Sequence, residues 1–286
     1  MILPVTYKQY NYQNYYNNNP NFEGISPIGK YVNSTFDRFS AISKKKWYPI
    51  DSMLAPFAKT LKLKKGTHTL NALDINPIDS KKYIIFYHGL GQNISFNQEL
   101  YKRIVDKGYG VLTCEYGAFG ENTEKFTKKS IRRTTQMALD YLKGKNVDEV
   151  GVVGFSMGSF PAVETTKLNK NTSFLVLISP YNSMKSELNK ITKGNMVKLP
   201  QFVKFLIRKC PFLLGGLDRM SKVGAKLNTL DTKTYLIHSK ADKIIPYQST
   251  QELAHKTKNL QQLILLRGGT HNIDASKLEA FSDLPI

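Results

Sequence analysis

The sequence predicts an α/β fold built on a parallel sheet with helices on both faces. Three observations carry that expectation. Short apolar runs alternate with segments of helical periodicity along most of the 286 residues. One run, Val150-Gly151-Val152-Val153, ends in Gly154-Phe155-Ser156-Met157-Gly158 and passes directly into a helix-compatible stretch. Two further apolar runs end in glycine-bearing loops, His88-Gly89-Leu90-Gly91 and Gly268-Gly269-Thr270-His271, where chain reversals and close backbone approaches need small residues.

The elements follow in order. Residues 1 to about 24 are rich in Tyr, Asn and Gln, a polar composition that does not build a core. Tyr31, Val32, Phe36, Phe39 and Ile42 then recur near helical spacing and predict one amphipathic helix, so that residues 1–50 read as an N-terminal extension. Alternation in Thr60-Leu61-Lys62-Leu63 and in Thr67 to Leu73 predicts two leading antiparallel strands. Parallel strands are expected at Lys82–Tyr87, Gly110–Glu115, Val150–Gly154, Ser173–Ile178, Thr232–His238 and Gln262–Arg267. Helices are expected near 95–107, 130–143 and from Met157 to about Lys167. The core is thus 51–180 and 231–286, and the pattern breaks at 181–230, an insertion.

The chemistry is concentrated in three loops. The Gly-x-Ser-x-Gly turn pushes a serine hydroxyl out at a strand end, with Gly154 and Gly158 required by the tightness of the turn, so Ser156 is the candidate nucleophile. A serine hydroxyl is a weak nucleophile at neutral pH and needs an imidazole to take its proton, which in turn needs a carboxylate to fix its tautomer. Asp242, just past one strand, and His271, just past the last, supply those types in the order Ser, Asp, His. The backbone N–H groups of Leu90 and Met157 are the candidate oxyanion donors. His88, with Gly89, fits a histidine that holds its loop by hydrogen bonding better than a second base.

Taken together, His88-Gly89-Leu90-Gly91, Glu115-Tyr116-Gly117-Ala118-Phe119-Gly120, Gly154-Phe155-Ser156-Met157-Gly158-Ser159, Ser179-Pro180-Tyr181, His238-Ser239-Lys240-Ala241-Asp242 with Ile245-Pro246, and Gly269-Thr270-His271 resemble the α/β-hydrolases. Within that superfamily the chain is similar to the Bem46-like and S33 serine-aminopeptidase-like proteins, over about residues 58 to 275. The resemblance implies the α/β-hydrolase fold, with an eight-stranded, mostly parallel sheet and a helical lid inserted after strand 6, and it implies the Ser156-Asp242-His271 assignment. Glu115 and Ala118 stand where such proteins often carry Asp and Arg, and Ser239 where Gly is usual. After His271 about fifteen residues remain, which predicts a closing helix shorter than the usual three turns.

Composition bounds the partners. The net charge of +19 comes mainly from dispersed lysines, which read as a solvated surface. No nucleic-acid motif accompanies them, so no nucleic-acid partner is expected, and an anionic membrane surface is the weaker reading. No run reaches membrane-spanning length without charge, and no export signal is legible at the amino terminus. Two cysteines, Cys114 and Cys210, make no disulfide framework and predict a cytoplasmic protein. Neither zinc spacing nor a phosphate-cradling loop is present, so no cofactor and no metal are expected.

In the insertion, Phe202, Phe205 and Leu206 share one helical face and are candidates for an acyl pocket, with sealing of the lid to the core as the plainer role. Ten basic residues there face only Glu187 and Asp218, which suits an acyl ester or thioester better than the protonated amine an aminopeptidase must hold. A serine hydrolase acting on carboxylic esters or thioesters through an acyl-enzyme is therefore expected. A peptidase or acyltransferase with the same triad, and a non-catalytic hydrolase-like binding protein, are the alternatives, and oligomeric state is left open.

Overall fold

A computed structural model describes residues 48–117, 119–120, 122, 127–183, 222–278 and 284–286. Eight strands form one sheet: β1 Ala58–Lys65, β2 His68–Ile75, β3 Lys82–Tyr87, β4 Gly110–Cys114, β5 Glu149–Phe155, β6 Thr172–Ile178, β7 Lys233–Ser239 and β8 Leu260–Leu266. Their order is β1-β2-β4-β3-β5-β6-β7-β8. β1 and β2 pair antiparallel, β2 joins β4 antiparallel, and every pairing from β4 to β8 is parallel. Among the described residues the α-helices are α1 Gln98–Asp106, α2 Lys128–Gly144, α3 Ser159–Leu168, α4 Val223–Leu227 and α5 Gln248–Ala254.

Burial on both faces explains why the inner strands read as continuous apolar runs. In β3, Tyr83, Ile85 and Tyr87 pack with Phe160 and Ala162 of α3 and Met137 and Ala138 of α2. The alternate residues Ile84 and Phe86 pack on the other face with Leu100, Tyr101 and Ile104 of α1. Two side chains pointing opposite ways at successive positions thus build two cores from one strand. α2 begins at a capping box, in which Thr127 Oγ1 accepts from Ser130 N–H at 3.0 Å and Ser130 Oγ accepts from Thr127 N–H at 2.9 Å.

The outermost strand differs. In β1 the half-buried Leu61 and Leu63 alternate with exposed Lys62 and Lys64, with Lys59 and Lys65 exposed as well. Only one face of this strand is packed, which is why its sequence alternates where β3 does not.

The amino-terminal edge of the parallel strands carries a polar cluster that sequence spacing does not announce. Asp74 of β2, 2% exposed, accepts from Tyr83 OH at 2.9 Å, Tyr141 OH at 2.6 Å and Lys145 Nζ at 2.8 Å. Lys145 follows α2, and β2, β3 and α2 are pinned together at this end.

The crossovers place the site. From β3 the chain passes through α1 to β4 on one side, and from β4 through α2 it returns across β3 to β5 on the other. Loops leaving the carboxyl ends of β3 and β5 therefore diverge and leave a crevice, the switch point of an open parallel sheet.

The expected strands are all present, with ends shifted by at most two residues, as at Ala58–Lys65 for the alternation read over 60–63. α4 and α5 are additional; at five and seven residues they are too short to show periodicity. After His271 a short 3-10 turn, Ala275–Leu278, packs Leu278 into the core, and residues 279–283, on which the rest of the expected closing helix falls, lie outside the described residues. The N-terminal helix, Cys210 and most of the 181–230 insertion fall outside the described residues. Among the described residues no helix is long and apolar enough to cross a membrane.

Candidate active site

Ser156 sits where β5 turns into a 3-10 segment, Ser156–Gly158, that leads straight into α3. Its φ of +52° is a left-handed conformation that side-chain-bearing residues rarely adopt, costing on the order of 1–3 kcal/mol. The flanking glycines are fixed by contact. A Cβ on Gly154 would lie 2.7 Å from both the Ala162 Cβ and the Gly158 carbonyl, and one on Gly158 would run into the Tyr87 carbonyl at the end of β3. The elbow is therefore pressed against the neighbouring strand end.

His271, in the loop after β8, reaches both partners. Its Nε2 lies 2.9 Å from Ser156 Oγ, and Nδ1 lies 2.6 Å from Asp242 Oδ2. The tautomer that satisfies both has Nδ1–H donating to the carboxylate and Nε2 accepting from the hydroxyl. The ring is tilted over Phe155, with centroids 5.3 Å apart. Ser179, at the end of β6, donates from Oγ to the His271 carbonyl at 3.0 Å and fixes the loop from below.

Asp242 presents a side chain with no solvent exposure. Its Oδ1 accepts from the Ile244 and Ile245 N–H groups at 2.7 and 3.0 Å, while Oδ2 receives both His271 and His238, the latter at 3.0 Å. Burial pushes the carboxyl pKa upward, but the hydrogen bonds from His238 and His271 outweigh burial and hold it well below the ordinary carboxylate range. The carboxylate is thus kept ionised beside the imidazole.

The loop after β3 is braced. Gln92 Oε1 accepts from Gly89 N–H at 2.8 Å, and Gln92 Nε2 donates to Asn272 Oδ1 at 3.3 Å, which ties this loop to the one bearing His271. Leu90 is 37% exposed, and its N–H has no hydrogen-bond partner among the described residues. Met157, on the elbow, is buried.

His88 is fully buried and turned away from Ser156. Its Nε2 lies 3.0 Å from Glu115 Oε2 and its Nδ1 2.9 Å from the Gly89 carbonyl, and its ring stacks on Tyr116 at 4.6 Å. Glu115 Oε1 also accepts from Ile94 N–H at 3.2 Å, so this glutamate serves the inside of the loop and not the rim. Ser239 likewise has a local task, since its Oγ donates to the Gly269 carbonyl at 3.1 Å and accepts from Ala241 N–H at 3.1 Å, joining the loops of Asp242 and His271.

Of the residues singled out from sequence, Ser156, Asp242 and His271 come together, and His88, Gly89, Gly154, Gly158, Leu90 and Met157 surround them. Phe202, Phe205 and Leu206 lie outside the described residues. Sequence reasoning gave no role to Gln92, to His238, quoted only within the stretch that ends at Asp242, or to Thr250 of α5, whose hydroxyl meets His238 Nδ1. Only His238 carried a signal, a histidine four residues before the aspartate. Among the described residues no group of three His, Cys, Asp or Glu side chains is arranged to hold a metal ion.

Residues 111–280, more than half of the chain, match the family model of the FSH1 serine hydrolases. YqkD of Bacillus subtilis is 24% identical over 221 residues, covering 74% of this chain and 70% of that protein. Human ABHD12B is 21% identical over 213 residues, covering 68% of this chain and 57% of its own length. Among solved structures, an esterase of Pyrococcus furiosus superposes with a TM-score of 0.61 at 20% identity, covering 83% of this chain and 90% of that one. Est1E of Butyrivibrio proteoclasticus, solved with ferulic acid bound, gives 0.59 at 16% identity over 75% and 92%. At these identities the structural likeness concerns the fold, which is the expected α/β-hydrolase one. The stretch that the family model matches begins in β4 and runs through the elbow, Asp242 and His271, and on that match the chain belongs to the FSH1 family and is a serine hydrolase.

Proposed function

We propose that the protein cleaves carboxylic esters or thioesters of small molecules through an acyl-enzyme intermediate formed on Ser156. The observation that carries this reading is the continuous run from Ser156 Oγ to His271 Nε2 at 2.9 Å and from His271 Nδ1 to Asp242 Oδ2 at 2.6 Å. As Oγ attacks the carbonyl carbon, its proton passes to Nε2, and the imidazolium that forms is stabilised by the buried, ionised Asp242. The tetrahedral oxyanion takes hydrogen bonds from Leu90 and Met157 N–H, a role that suits the Leu90 amide, which has no partner among the described residues. Collapse expels the alcohol or thiol, which takes the proton from His271, and water repeats the cycle to release the acid. Phe202, Phe205 and Leu206 of the 181–230 lid are the proposed acyl contacts, and the cytoplasm is the proposed compartment.

Esters are favoured over amides because several solved proteins of similar fold are esterases. A fluorophosphonate probe is expected to label the wild type and not Ser156→Ala, and the same substitution should lower p-nitrophenyl ester turnover by about 10⁴-fold or more. Folded wild type that resists the probe overturns the proposal. Turnover of aminoacyl anilides exceeding that of esters assigns the triad to a peptidase instead.

A further inference from the structure

The second imidazole on Asp242 has no part in the proton transfers just described, yet its surroundings are fully specified. His238, near the end of β7, has no solvent exposure. Its Nε2 lies 3.0 Å from Asp242 Oδ2 and 2.9 Å from the Ile245 carbonyl, and both of these groups only accept. Nε2 must therefore carry hydrogen. On the other side of the ring Nδ1 meets the hydroxyl of Thr250, itself fully buried, on α5. A hydroxyl donating to Nδ1 leaves the single ring proton on Nε2, where the two acceptors need it.

The anchoring this provides differs in kind from the other bonds to Asp242. The amides of Ile244 and Ile245 that hold Oδ1 belong to the same loop as the aspartate and would move with it. That loop is outward-facing, with Lys240, Ala241, Lys243 and Ile244 exposed. His238 is rooted in the sheet and braced by α5, and its one N–H spans the carboxylate and the Ile245 carbonyl, the two ends of the turn. It alone, apart from His271, connects the carboxylate's side chain to the rigid body of the molecule among the described residues.

We propose that His238, held as its Nε2–H tautomer by Thr250, is a positioning residue that fixes the Asp242 carboxylate at the oxygen shared with His271. The proposal rests on the Ser156–His271–Asp242 reading. The consequence is catalytic, because a carboxylate displaced by about 1 Å costs on the order of 10²-fold when it orients a base. His238 touches neither substrate nor nucleophile, so its loss should appear in turnover and not in binding.

The test compares His238→Gln, His238→Asn, His238→Leu and Thr250→Val by steady-state hydrolysis of a p-nitrophenyl ester and by proton NMR of the far-downfield His271 Nδ1–H. A glutamine amide reaches the place of Nε2, whereas an asparagine amide reaches only that of Nδ1. His238→Leu and His238→Asn are expected to lower kcat about 10- to 100-fold with KM within about twofold, and to move the downfield resonance. His238→Gln should recover kcat to within about fivefold of wild type, and Thr250→Val should lose about three- to tenfold, the scale of one hydrogen bond. Folded His238→Leu with wild-type kcat and an unmoved resonance overturns the proposal. If His238→Leu does not fold, equal kcat for the Gln and Asn variants overturns it. Failure of the underlying reading is separate, since with His238 intact it shows as folded wild type that resists the fluorophosphonate probe or as labelling that survives in Ser156→Ala.

Discussion

Two buried aspartates stand at opposite edges of the same sheet, and they are satisfied by different chemistry. At the amino edge Asp74 meets a permanent cation, Lys145, and two phenols. At the carboxyl edge Asp242 meets two imidazoles and two backbone amides and, among the described residues, no lysine or arginine. A fixed ion pair locks three elements together but has no proton to exchange near neutrality. Imidazole hydrogen bonds keep Asp242 ionised, and one of the two rings, His271, also faces the nucleophile's hydroxyl. One edge is thus built for cohesion, the other for turnover.

The sharpest way to break this contrast is to neutralise each carboxylate in turn. Asp242→Asn should lower kcat by about 10⁴-fold with the fold retained by circular dichroism, because an amide NH₂ facing His271 enforces the wrong tautomer. Asp74→Asn should do the reverse. It leaves the partly buried Lys145 without its counter-charge, and a loss of about 2–4 kcal/mol in urea unfolding is expected, with kcat per folded molecule unchanged. If Asp74→Asn lowers kcat per folded molecule as Asp242→Asn does, the division of labour between the edges is wrong.

Proton linkage separates the edges as well. Burial raises the pKa values of Tyr83 and Tyr141, while for Lys145 burial acts downward and is outweighed by Asp74 and Tyr83, so that its value is raised too. The folded chain then holds more protons than the unfolded chain in alkali. This stabilisation is full below about pH 10, where the unfolded groups begin to titrate, and is lost as pH rises through the folded values. For Asp242 the value is lowered, so its contribution is present above roughly pH 4 and is lost as pH falls through the folded value. Tyr141→Phe should flatten the alkaline limb of a stability-against-pH curve and leave the acid limb in place.

The smallest expected effect belongs to the nucleophile itself. Ser156→Gly relieves a left-handed φ that Ser156→Ala retains, and should unfold about 1 kcal/mol later than the alanine variant in urea. Equal midpoints would mean that the elbow carries no such strain.

The contrast between the edges also explains what the sequence could disclose. The elbow, Asp242 and His271 were legible because each closes a short apolar strand and the chemistry demands those three types in a usable order. The buried strands were legible from their continuous apolar runs. The Asp74 cluster was not, because residues 74, 83, 141 and 145 meet only through the pairing of β2 with β4, of β4 with β3, and the end of α2. Gln92 and Thr250 were silent for the same reason, being ordinary polar residues whose partners come from distant loops or a short helix. Gly158 was legible as a motif, but its cause, the Tyr87 carbonyl, is a property of the neighbouring strand.

The lysines of β1 have a consequence outside chemistry altogether. An open sheet ends in a row of unpaired backbone groups that a second molecule could extend into a continuous ladder, the first step toward aggregation. With Lys59, Lys62, Lys64 and Lys65 exposed on that strand, two such rims repel one another before their amides can engage. On this argument the β1 lysines would act as colloidal insurance, strongest in dilute buffer and fading as salt shortens the reach of the repulsion to about 10 Å and below.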